Sequence, residues 1–379
     1  MMKKLLLVFP ILLLAISSCA PAKQAAKTSS GLTPKDVKYV YMEASDLNLI
    51  GKILPGTPNP YHRVDTCKYK GFTPWENGQL RCPTGLAVLF RTNSTSIAVK
   101  TEWGSFLYES VATMPMAYRG YDLYIRDKGK WIWAGAAGKT HSKPDGKSVL
   151  VKNMDGSMHE CMLYLPIYTE VKSVGIGVDA GSVIEAMESP FRHRICFYGS
   201  SYTHGVSTSR AGLSYPMQFM RHTGFQVLSF AMSGRCLMQS YSAAVLEDID
   251  ADAYIFDTFS NPDAAMIKER LIPFIDRMIA AHPGKPLIFQ QTIRREARNF
   301  DMEAERRESA KQEMAERLFK DIVFKDKKYK DVYFIRPEAC VESHEATVDG
   351  VHPNDYGYYL WSKSIEKPVL DILSRYGIK

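Results

Sequence analysis

The chain has 379 residues, 45% of them apolar and 23% charged, which excludes a disordered or low-complexity protein and exceeds what one small core needs. Its formal charge of +7 is scattered, with no long Lys/Arg run, and this argues against a nucleic-acid-binding surface.

In chain order, the first segment reads as an export signal. Lys3 and Lys4 precede an apolar run, Leu5 to Ile16, interrupted by Pro10 and too short to span a bilayer, where about 20 residues are needed. Ile16-Ser17-Ser18-Cys19 resembles the bacterial lipobox, which implies lipidation at Cys19 and makes residues 1–19 a lipoprotein signal. Residues 20–36, rich in Ala, Lys, Ser and Thr, then form a tether. The expectation is an exported protein, anchored by lipid to a bacterial membrane on the periplasmic or outer side. Removing Lys3 and Lys4 with the leader takes two charges from +7 and leaves +5.

Residues 37–185 carry strand signals and little helical periodicity. Leu86–Phe90, Ser96–Val99, Tyr121–Ile125 and Val174–Val178 are β-rich runs separated by Gly, Pro, Asn and Asp, the pattern of a β-sandwich. Asp127-Lys128-Gly129-Lys130, followed by Trp131-Ile132-Trp133, reads as a hairpin turn. Six cysteines remain beyond Cys19, and none sits at zinc-type spacing. An exported compartment permits a Cys67–Cys82 disulfide, and Cys196 reads as a buried thiol.

From residue 190 to 379 strands and helices alternate. Ile195–Tyr198, Val227–Phe230, Ala253–Phe256, Pro286–Phe289 and Val332–Ile335 are the predicted strands. The stretches 264–281, 302–324 and 355–376 are the main predicted helices. Such alternation predicts a parallel sheet covered on both faces, with ligands at the carboxyl ends of its strands.

Those strand ends hold the chemistry. Ser201 follows the first strand between Gly199 and Gly205, and Asp349 and His352 come near the C-terminus. A serine hydroxyl becomes a nucleophile when a histidine takes its proton and a carboxylate orients that histidine. Three residues apart, Asp349 and His352 can share one side of a turn, with Pro353 expected at the threshold of the last helix. An acyl-transfer oxyanion also needs donors; Ser201 N–H, Gly234 N–H after the second strand and the Asn261 amide after the third are the candidates. His204 is a candidate for lining the acyl or alcohol pocket, His344 a weaker rival base, and His193 a surface or packing residue. No carboxylate pair of glycosidase type stands out at the strand ends.

These residues resemble the SGNH (GDSL-type) hydrolases, named for Ser, Gly, Asn and His in separate blocks. Ser201 corresponds to the nucleophile, Gly234 and Asn261 to oxyanion donors, and Asp349 and His352 to the final Asp-x-x-His. The resemblance implies a flavodoxin-like three-layer α/β/α domain that hydrolyses acyl esters through an acyl-enzyme, with no metal or other cofactor. Gly120-Tyr121-Asp122-Leu123-Tyr124 matches the Gly-x-Asp-Leu-Tyr motif of the β-rich domain preceding some bacterial members. Two departures are visible. Ser200 stands where Asp usually precedes the serine, and the Gly-x-Asn-Asp block reads Phe259-Ser260-Asn261-Pro262.

The expected function is hydrolysis of acyl, above all acetyl, esters on carbohydrates or other small esters. The rivals are a lipase or phospholipase and a non-catalytic glycan-binding lipoprotein. Acetyl preference over long acyl chains, and labelling at Ser201, separate the three.

Overall fold

The computed structural model describes residues 39–138, 148–338 and 343–379. The predicted signal segment, its Cys19 and the tether lie outside the described residues. The described residues form one compact unit.

The β-rich half contains two antiparallel sheets. One pairs Tyr39–Glu43, Thr169–Asp179, Ile97–Leu107 and Ser148–Val151 in that spatial order. The other runs Ile184–Ala186, Ala87–Thr92, His159–Tyr164, Gly120–Asp127 and Lys130–Gly138, with Asn48–Ile50 also on Ala87–Thr92. The predicted hairpin is present: Lys128 and Gly129 both have positive φ, 47° and 79°. Left-handed backbone at both loop positions matches the right-handed twist of the flanking strands.

Strand Ala87–Thr92 shows why this half reads as continuous apolar runs. Val88 and Phe90 point into the core between the two sheets, whereas Ala87 and Leu89 belong to the core shared with the α/β half. This strand is therefore buried on both faces, and its alternation into polar positions is lost. The Gly-x-Asp-Leu-Tyr motif lies at this junction. Buried Asp122 accepts from Arg210 at 2.7 Å and from the Gly212 N–H at 3.1 Å, tying the sheet to a loop of the α/β half.

The α/β half is a five-stranded parallel sheet in the order Phe225–Ala231, Arg192–Gly199, Ala253–Asp257, Leu287–Gln290, Val332–Ile335. Numbered by chain position this is 2-1-3-4-5, the flavodoxin-like order. Two hydrophobic clusters lie against its faces. The helices Ala264–Ala281, Met302–Asp321 and Asp355–Ser374 correspond to the three predicted, the last two ending earlier. Strand order reverses beside Arg192–Gly199, so its carboxyl end opens at the switch point where such sheets bind ligands.

Two expectations are corrected. Cys67 and Cys82 are separate thiols; Cys67 is exposed while Cys82 is buried with its Sγ on the Gly78 carbonyl. The last helix begins at Asp355 with Asn354 as its cap, its side chain accepting from the Gly357 N–H. Pro353 instead bridges back to Thr347, closing the loop that carries Asp349 and His352.

Candidate active site

Ser201 opens a single helical turn, Ser201–His204, directly after strand Arg192–Gly199. Gly199 is required there, because a Cβ would fall 1.9 Å from Thr203 Oγ1. Ser200 caps the turn, its Oγ accepting from the Tyr202 N–H, while its own N–H and Oγ–H both donate to Asp257 Oδ2. Asp257 ends the neighbouring strand and is fully buried; burial pushes its carboxyl up to about 6, against the opposing hydrogen bonds from Ser200, Thr203 and Ser260.

His352 reaches this serine from the other end of the domain. Its Nε2 lies 3.0 Å from Ser201 Oγ and its Nδ1 lies 2.8 Å from Asp349 Oδ2. Asp349 Oδ1 also accepts the N–H groups of Val351 and His352, at 2.9 and 2.7 Å. Burial alone would raise the Asp349 carboxyl, but those N–H groups and the imidazole outweigh it and hold it below its ordinary value. Gly350, at φ 78°, makes the loop possible: a Cβ there would sit 2.9 Å from the Ala297 nitrogen. An imidazole placed between carboxylate and hydroxyl can take the hydroxyl proton and return it later.

Ser201, Gly234, Asn261, Asp349 and His352 all line one cavity of about 640 Å³. Asn261 Oδ1 accepts from the Cys236 N–H at 3.1 Å, so the amide oxygen is occupied and Nδ2 is left to donate. Gly234, at φ 70°, has open space where a Cβ would stand, with no atom within 4 Å of that point. The β-rich half adds Trp75, Tyr108, Ser110, Val111 and Ala112 to the wall.

His204 is a correction. It does not face the cavity but is fully buried, stacked on Tyr168 at 4.0 Å, with Nε2 at 2.8 Å from Ile167 O and 2.9 Å from Thr84 Oγ1. The helical winding of Ser201–His204 carries position 204 toward the β-rich half, and burial holds its imidazole well below the ordinary value. His344 binds Glu296 at 2.8 Å, and His193 lies 3.4 Å from Asp252.

Arg295 and Lys311 line the same cavity, and sequence reasoning missed both. Arg295 donates to Tyr202 Oη at 2.8 Å, Ser260 O at 2.6 Å and Glu308 at 3.0 Å. It thereby joins the residue after Ser201 to the residue before Asn261. Lys311 shares Glu308, at 2.8 Å. Helical spacing of Glu308 and Lys311 was a legible signal, but nothing local connects either to Arg295. Asp257 offered a fainter one, as an acid closing an apolar strand.

Comparison with known proteins agrees with this architecture. The model of the GDSL-like lipase/acylhydrolase family matches residues 192–370, and that of the GxDLY N-terminus of SGNH-hydrolase-type esterases matches residues 37–184. A candidate GDSL-like lipase from Bacteroides ovatus is 36% identical over 89% of this chain and 98% of its own, with a TM-score of 0.84. Two more distant structures share the fold. A salicylyl-acyltransferase from a tetracycline biosynthetic pathway is 16% identical over 88% of this chain and 98% of its own, at TM-score 0.66. A family two carbohydrate esterase from Cellvibrio japonicus is 11% identical over 89% and 98%, at TM-score 0.54. None of the curated proteins matches the sequence. With a relative this similar over nearly its whole length, and with both halves matched, the chain belongs to the GDSL-like lipase/acylhydrolase family of SGNH-type esterases.

Proposed function

We propose that this protein is an exported, lipid-anchored serine esterase that removes acyl groups, chiefly acetyl, from carbohydrates. The observation that carries the reading is the Ser201–His352–Asp349 hydrogen-bond chain opening onto the cavity that Gly234 and Asn261 also line. His352 Nε2 takes the Ser201 Oγ proton as Oγ attacks the ester carbonyl. The resulting oxyanion is met by Ser201 N–H, Gly234 N–H and Asn261 Nδ2. His352 then protonates the departing alkoxide, and Asp349 balances the imidazolium meanwhile. Water, deprotonated by the same imidazole, attacks the acyl-enzyme, and the acid leaves with Ser201 restored.

The carbohydrate assignment is supported by the room in the cleft, about 640 Å³, and by Trp75 and Tyr108 on its wall, flat faces suited to sugar rings. The Cellvibrio japonicus carbohydrate esterase and an acetyl xylan esterase from Butyrivibrio proteoclasticus share the fold. Cys19 supplies the anchor in this reading, and the mature protein meets the membrane only there.

The test uses the mature protein on p-nitrophenyl acetate, acetylated xylan, pectin and mucin-type glycans. Wild type should release acetate, and Ser201→Ala should lose at least about 10³-fold in turnover together with fluorophosphonate labelling. Full activity in Ser201→Ala would remove the nucleophile assignment, and a preference for long acyl chains would remove the acetyl one.

A further inference from the structure

Gly234 is a weak place to keep an oxyanion donor. Glycine is the residue with the most backbone freedom, and a donor helps only if it is aimed before charge develops. What holds it comes from the other half of the molecule. Ser233, the preceding residue, has all three of its polar groups engaged by the β-rich half. Its N–H donates to Gln79 Oε1 at 2.7 Å, its carbonyl accepts from Gln79 Nε2 at 3.2 Å, and its Oγ bonds Tyr168 Oη.

The carbonyl contact matters most. Ser233 C=O and Gly234 N–H belong to one planar trans peptide and point in opposite directions. Holding the carbonyl on Gln79 therefore directs the Gly234 N–H away from Gln79. Gln79 itself is fixed: it is fully buried, on helix Pro74–Leu80, whose N-terminus carries a capping box formed by Thr73 and Glu76. Its own carbonyl accepts from buried Arg63 at 2.7 Å, and Arg63 also donates to Ala231 O at 3.0 Å, at the end of the strand leading to Ser233.

We propose that Gln79 is a positioning residue for the oxyanion hole, so that the β-rich half completes the active site rather than serving as a separate binding module. This rests on the reading of Gly234 as an oxyanion donor for Ser201 chemistry. Gln79→Glu, assayed at pH 9 so that the buried carboxyl is ionised, keeps the acceptor for the Ser233 N–H but sets a carboxylate against the Ser233 carbonyl, which turns the peptide. Gln79→Leu removes both bonds.

The experiment measures kcat and KM on p-nitrophenyl acetate per active site titrated with fluorophosphonate, and affinity for a boronic acid, whose tetrahedral adduct on Ser201 fills the hole. Both variants should lose roughly 10²-fold in kcat and in boronate affinity alike, the scale of one lost donor, with KM within about threefold. A structural role alone would lower the titratable fraction and the melting temperature but leave kcat per site intact. Should Gln79→Leu fail to fold, Tyr168→Phe, which releases only the Ser233 hydroxyl, should show a smaller parallel loss. Unchanged kcat per site and boronate affinity in Gln79→Glu overturn the proposal while Ser201-dependent hydrolysis stands. If Ser201→Ala is as active as wild type, the esterase reading falls and takes this one with it.

Discussion

Asp257 accepts two hydrogen bonds from Ser200, from its N–H at 3.2 Å and its Oγ at 2.8 Å, one residue before the proposed nucleophile. The family usually has an Asp in the position of Ser200; here a hydroxyl stands on the turn and the carboxylate reaches it from the adjacent strand.

That carboxylate makes stability depend on pH in an unusual direction. Burial raises its pKa from 3.8 to about 6, so between those values the folded chain binds more protons than the unfolded one. Its contribution is complete below the lower value and lost as pH rises through the upper, by at most about 3 kcal/mol. Asp257→Asn has no such titration. The difference in unfolding free energy, variant minus wild type, should rise between pH 4 and pH 6 to 7 and then level, measured by denaturant melts. A difference that stays flat across that range would contradict it.

Asp349→Asn should be isosteric and still disabling. The amide oxygen can keep the N–H groups of Val351 and His352, so the loop and melting temperature should hold. Its NH₂, however, would face His352 Nδ1 and select the wrong imidazole tautomer, costing about 10⁴-fold in kcat. Steady-state kinetics on p-nitrophenyl acetate read this directly, and a loss under tenfold would contradict the orienting role.

The two oxyanion candidates should respond differently to alanine. Asn261→Ala removes the only side-chain donor of the three and should lower kcat by about 10²–10³. Gly234→Ala leaves the N–H in place and meets no atom within 4 Å, so its effect comes from the φ of 70°. That strain is about 1–2 kcal/mol, visible as reduced stability with kcat within about tenfold. Equal kcat losses in both variants would break the assignment.

Arg295→Lys should fail as a conservative change. A point-charge ammonium cannot satisfy Tyr202 Oη, Ser260 O and Glu308 together, as the planar guanidinium does. With the Ser201 and Asn261 turns no longer joined, kcat should fall by roughly 10- to 100-fold and KM by much less. Unaltered kcat would make Arg295 a packing residue.

Much of this was legible in linear order. The apolar runs at Ile195–Tyr198, Val227–Phe230 and Ala253–Phe256 announced strands because a parallel sheet buries both faces, and residues following such strands must emerge at its carboxyl edge. That logic located Ser201, Gly234 and Asn261. The Asp-x-x-His spacing located His352. It misplaced His204, because a serine on a strand-to-helix turn carries the residue three positions on toward a neighbour that linear order does not reveal. The Cys67–Cys82 pairing failed for a related reason, since spacing says nothing about one thiol being buried while the other faces solvent.

The sequence by itself determined the types of element, the sheet edge at which the candidate residues gather and the side chains proposed here for acyl transfer. Those properties follow from local periodicity, turn chemistry and side-chain reactivity. Tertiary structure alone decided that His352 meets Ser201, that Arg295 braces two strand-end turns, and that Gln79 clamps Ser233. Each joins groups on different elements, and their partners are set by sheet order and by the docking of the β-rich half. Backbone hydrogen bonds and buried apolar area govern that arrangement, and no short stretch of sequence encodes it.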